Sequence, residues 1–107
     1  MARFRVVRHP LVDRDIARVA TFLLRRTTPR SFARELAALN ADVSSLGENP
    51  YRGTERNEIL PGLRVIPGAG KGVIAFEVRE DTRTVRILCI TWGGADWMGM
   101  IARRSRS

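Results

Sequence analysis

Residues 85–98 read VRILCITWGGADWM, and the fold turns on how that stretch is understood. Between Val85 and Trp92 nearly every position is apolar, with Arg86 the one charge, so the alternation of a half-buried strand is lost and both faces of the strand need covering. Gly93 and Gly94 then let the chain turn off the sheet. Asp96 stands where a helix N-cap would, and Trp97, Met100 and Ile101 are spaced to share one helical face. A strand of this kind needs helices on one side. Its other side needs the C-terminal tail or a partner chain.

The upstream sequence supplies the helices. FRVV at 4–7 is short and β-branched and reads as a first strand with one charged face. Pro10 fits the first position of a helix in which Val12, Ile16, Val19 and Leu23 recur at four, three and four, with Asp13 and Asp15 early and Arg25 and Arg26 late. A second helix follows, with Thr28 as N-cap, Pro29 at its first position, and Phe32, Leu36, Leu39, Val43 and Leu46 as its apolar stripe until Gly47 stops it. GENPYRGTERNEILPG is rich in turn formers and charge and reads as an exposed loop. LRVI (63–66), GVIAFEV (72–78) and VRILCITW (85–92) are strands joined by the hairpin-length PGAGK and REDTRT. The expected fold is therefore α+β and two-layered, β-α-α-β-β-β, with a helical hairpin packed on an antiparallel sheet and a short C-terminal helix.

At 107 residues the chain has room for one domain, 1–107, that buries roughly 65% of its unfolded surface. Its 44% hydrophobic and 28% charged content is that of a soluble globular protein. No stretch approaches the roughly 18 apolar residues of a membrane span, and MARFRVVRHP has no apolar signal core, so no membrane partner and a cytoplasmic location are expected. The net charge of +8, carried by 18 arginines and Lys71 alone among lysines, calls for an acidic partner, either nucleic acid or protein.

Few residues carry candidate chemistry. PGAGKG is no phosphate loop, because Val65 and Gly72 stand where that template needs glycine and a hydroxyl. His9 is the only histidine and Cys89 the only cysteine, which excludes the usual His/Cys metal sites, and no cofactor is expected. His9 sits before Pro10 in a turn, and Cys89 reads as a small core residue. Arg64 points opposite to Leu63 and Val65, and Arg86 does the same in its strand, leaving open whether the two share a face.

RVVRHPLVDRDIARVATFL, NPYRGTERNEILPGLRVIP, the strand pair GVIAFEV and VRILCITW, and the closing GGADW together resemble the RelE/ParE superfamily of type II toxins, from about residue 3 to residue 101. The resemblance implies a cognate antitoxin whose acidic or amphipathic C-terminal segment wraps the toxin. It implies one of two activities. RelE-like members cut messenger RNA at the ribosome with basic side chains on the concave sheet face; ParE-like members poison DNA gyrase. By resemblance Arg64 falls where RelE-like toxins carry an arginine, Arg52 and Arg56 fall where they carry lysines, and Trp97 falls near a functional aromatic residue. Arginine is too basic to shed a proton, and indole cannot act as acid or base. Gly93, Gly94 and Ala95 occupy the turn where the ribonucleases carry arginine or histidine. The ParE-like match is the better one, with the ribonuclease and a degenerate non-toxic binding module as alternatives. Arg64, Arg86, Trp97, Arg103, Arg104 and Arg106 are the candidate partner-binding residues. The last three, lacking apolar neighbours, are expected to be solvated, so that residues 103–107 could be removed without loss of core.

Overall fold

A computed structural model describes residues 3–93 and 95–105. Gly94, Arg106 and Ser107 lie outside the described residues, and with them part of the expected glycine turn and one candidate arginine. The chain is α+β, running β1 (Arg5–Arg8), α1 (Val12–Leu24), α2 (Pro29–Ser45), β2 (Thr54–Glu55), β3 (Leu63–Pro67), β4 (Val73–Arg79), β5 (Thr84–Ile90) and α3 (Trp97–Arg104). The five strands form one sheet in the order β1-β5-β4-β3-β2. Among the described residues no helix is long and apolar enough to cross a membrane.

Four local expectations change. The sheet is mixed, because β1 pairs with β5 in parallel, Arg5 opposite Thr84 and Arg8 opposite Ile87. The long connection through the helical hairpin brings the chain back to that edge in the same sense. The loop expected at 47–62 contributes β2, two residues that pair Thr54 with Val65 and Glu55 with Arg64. Pro10 lies in the turn before α1 and not in its first position: the Val12 N–H donates to the His9 carbonyl at 2.9 Å, and the Leu11 N–H to His9 Nδ1 at 3.1 Å. Gly47 follows the end of α2 for reasons of space. A Cβ there would stand 2.8 Å from the Phe4 carbonyl oxygen, which approaches closely because Phe4 N–H donates to the Gly47 carbonyl. The Thr28 cap forms as read, its hydroxyl accepting from Ser31 N–H at 3.2 Å.

The apolar run of β5 is covered on both sides. Val12, Val19 and Leu23 of α1 and Leu39 and Val43 of α2 pack with Ile66, Ile74, Phe76, Val85, Ile87 and Ile90 on one face. On the other, Leu63, Ala75, Leu88 and Cys89 pack with Ile101, joined by Trp97 and Met100. A β-bulge makes this possible. Phe76 faces Ile87 and Ala75 faces Cys89, so Leu88 is an extra residue and both it and Cys89 meet the second cluster. α3 is the cover that the sequence required, started by Asp96, whose carboxylate accepts from Gly99 N–H at 3.1 Å.

Arg104, the last residue of that cover, is not solvated as expected, whereas Arg103 is exposed. Arg104 is buried and makes a two-pronged ion pair with Asp15 of α1, at 2.5 Å and 2.8 Å, while donating to the Leu88 carbonyl at 2.9 Å. Removing one partner of such a pair leaves a buried charge uncompensated. Deleting residues 103–107 should therefore lower the unfolding free energy by about 3–5 kcal/mol, whereas Arg103→Ala, at an exposed position, should change it by less than about 0.5 kcal/mol. Urea denaturation checks both, and an unchanged midpoint for the truncated chain would refute the anchoring role.

Candidate functional site

The charged side chains singled out in the sequence gather around the loop 51–62 and the two faces of the sheet it borders. Arg64 lies in register with Phe76, so its side chain shares the face that carries the helical hairpin. There it closes the loop: Nε donates to the Arg52 carbonyl at 2.9 Å, Nη2 to the Tyr51 and Gly53 carbonyls at 2.7 Å and 3.2 Å, and Nη1 to Glu55 Oε1 at 3.1 Å. A rigid guanidinium fork suits three converging carbonyls and a carboxylate. Gly53, at φ 82°, makes the turn beneath it, and a Cβ there would sit 2.3 Å from the Val65 carbonyl oxygen. Four of the five Arg64 donors are thus occupied by the fold.

Arg52 is tied to the end of α2, donating to Ser45 Oγ at 2.6 Å and lying 3.7 Å from Asp42. Arg56 takes a different direction. Its Nε donates to Glu58 at 2.6 Å, which holds the Glu58 carboxyl below its ordinary range, and its guanidinium lies over the Trp97 ring at 5.3 Å. Arg86, in register with Glu77 and through it with Leu63, sits on the α3 face. Arg64 and Arg86 are therefore on opposite faces; of the four residues that the ribonuclease resemblance singles out, Arg64 meets Arg52 only through its backbone carbonyl, and Arg56 and Trp97 are the two whose side chains come together.

The basic ground nearest that pair is a shallow groove of about 360 Å³ between Thr54, Arg56, Val65 and Lys71 at the edge where β2 ends. Arginine and lysine there can hold an anion but are poorly placed to exchange protons near neutral pH. Other titratable groups face elsewhere. Tyr51 donates to Glu80 at 2.6 Å, a bond that raises its pKa. Burial pushes the Cys89 thiol up to about 12, so it is a core residue and not a nucleophile. His9 is buried beneath the start of α1 and accepts the Leu11 N–H there. Among the described residues no cluster of three His, Cys, Asp or Glu side chains could hold a metal ion. Of the candidate partner-binding arginines at the tail, Arg103 is exposed and Arg104 is committed to Asp15.

Two features escaped sequence reasoning. Asp15 reads as a dipole-favoured acid of the first turn, yet it is buried. Its position one residue before Ile16, three after Val12 and four before Val19 places it on the apolar stripe, which is the signal that was available. The second is an arginine-lined face on α1.

The model of a protein family, the ParE toxin of type II toxin–antitoxin systems, parDE, matches residues 6–97. The chain belongs to that family. Membership implies an antitoxin partner. A search of curated proteins finds no significant match.

The geometry makes two expectations about stability. Because Arg64 serves the loop, Arg64→Ala should destabilise the fold by about 1.5–3 kcal/mol, the worth of charge-assisted hydrogen bonds, read by chemical denaturation; a neutral substitution would free Arg64 for another role. His9 gives a pH dependence. Burial first, then Arg104 and Arg86, lower its pKa from 6.5, with Asp15 opposing. A depressed folded-state pKa contributes stability that is complete above the unfolded value and lost as pH falls through the folded one. Melting temperature should fall between pH 7.5 and 5.5, pH values of roughly one unit either side of an ordinary histidine. His9→Asn, which keeps an acceptor for Leu11 N–H but does not titrate, should flatten that fall.

Proposed function

We propose that the chain is the toxin of a type II toxin–antitoxin module that acts in the cytoplasm by poisoning DNA gyrase and is neutralised by a cognate antitoxin with an acidic or amphipathic C-terminal segment. The observation that carries the choice of gyrase over messenger RNA is the engagement of Arg64. In a ribonuclease reading that arginine would stabilise phosphate charge, but here its donors meet Tyr51, Arg52, Gly53 and Glu55 on the helical-hairpin side of the sheet. Arg56 and Trp97 stand on the other side, with Arg56 already paired to Glu58. Electrostatic stabilisation of a reacting phosphate requires donors aimed at the position where charge develops. The family match and the net charge of +8 support the antitoxin partner.

The purified chain should make gyrase accumulate cleaved plasmid DNA while leaving messenger RNA intact in a purified translation system. Codon-linked cleavage at ribosomes, with no effect on gyrase, would replace this reading by the ribonuclease one. Absence of both effects, together with unchanged growth on induction without antitoxin, would leave a binding module.

A further inference from the structure

The exposed side of α1 carries a charged groove that none of the foregoing uses. Arg14 and Arg18 of α1 and Arg25, which caps its C-terminal end in helical conformation, lie within about 40° of one another around the helix axis, separated along it by about 6 Å and about 10 Å. With Ala17 and Thr21 between them, short side chains form the floor. The groove, about 420 Å³, ends at Phe22, Arg26 and Trp92. Phe22 and Trp92 have ring centroids 6.2 Å apart, and the Arg26 guanidinium lies 4.0 Å above the Phe22 ring. Among the described residues Arg14, Arg18, Arg25 and Arg26 make no ion pair, and Asp13, the acid nearest to them in α1 on the exposed side, is engaged by Arg8 at 3.3 Å. Their positive charge has no acidic partner among the described residues.

We propose that this groove binds single-stranded nucleic acid, with Arg14, Arg18 and Arg25 on the phosphates and an unstacked base against Trp92 and the Arg26-covered Phe22 ring. A row of cations beside an aromatic platform is the arrangement that serves strands without sequence preference. A duplex could meet the arginines but keeps its bases stacked and would leave the aromatic end unused. An acidic peptide could also meet the arginines. Against it stands the placement of Arg26, whose flat cation lies over Phe22 where an apolar anchor would need the ring, while a base stacks on guanidinium and ring alike. The groove uses neither Arg64 nor the α3 face, and its test reads nucleic-acid binding without reference to gyrase.

Fluorescence anisotropy with labelled oligothymidylate and oligouridylate of roughly 12 nucleotides, within the usual range of site sizes, tests the assignment on the full chain. The two arms tell whether the sugar matters, and binding of either supports the site. Arg14→Ala with Arg18→Ala should weaken binding on the order of tenfold at about 0.15 M salt and reduce the slope of log affinity against log salt by about 1.4, at 0.7 per phosphate. Arg5→Ala with Arg79→Ala removes the same charge beside Thr84, at the opposite end of β5 from Trp92, and should change both much less. Trp92→Leu, which keeps an apolar side chain, should weaken binding about fivefold with little change in salt slope. Thermal melting confirms that each variant is folded. Equal losses from the two arginine pairs, no binding of either oligonucleotide, or a glutamate-rich peptide that binds more tightly through Arg14 and Arg18 would each overturn the proposal.

Discussion

A single buried carboxylate, Asp15, holds together parts of the chain that are 89 residues apart. β1 leaves the edge of β5 after Arg8, because Pro10 and the turn into α1 take the backbone away. Beyond that point β5 has polar groups that no strand meets. Asp15 Oδ2 accepts the Ile90 N–H at 3.1 Å, and Arg104 donates to the Leu88 carbonyl. The two side chains then pair with each other, Asp15 fully buried and Arg104 8% exposed. Each charge makes the other tolerable in the interior, and the hydrogen bonds that Arg104 donates to Asp15 raise the Arg104 pKa further. α1, β5 and α3 are thus joined at one point.

From that point the second face of the sheet follows. The bulge at Leu88 turns Leu88 and Cys89 to the same side, and α3 lies over them because Arg104 fixes its end and Asp96 its start. Ile101 is brought into contact with Leu63, Ala75 and Leu88, while Trp97 and Met100 close the margin. An eight-residue helix is too short to persist by itself. Its stability comes from this packing and this ion pair.

The arginines divide into those the fold consumes and those it leaves to solvent. Arg64 clips the loop 51–55 onto β3, Arg52 ties the same loop to α2, and Arg104 closes the interior. Arg14, Arg18 and Arg25 remain on one face of α1 without an acidic partner among the described residues. A net charge of +8 therefore overstates how uniformly the surface is positive, because the same residue type does structural and recognition work at different places.

The local pattern determined the order of elements, the hairpin stripes from Val12 to Leu46, the caps at Thr28 and Asp96, and the need for cover on both faces of residues 85–92, since these depend on spacing that neighbouring residues set. The resemblance of its segments also carried the family. Pairing of distant residues decided the rest. Pleat alone gave Arg64 and Arg86 the same alternation, and only the register through Phe76 and Glu77 put them on opposite faces. The bulge at Leu88 and the parallel entry of β1 came from the meeting of strands that are far apart in the chain. Arg104 looked like one more charge of a basic tail because nothing within a helical turn of it is acidic. Its partner lies 89 residues away, and a charge enters the interior only when the folded chain brings an opposite charge to meet it.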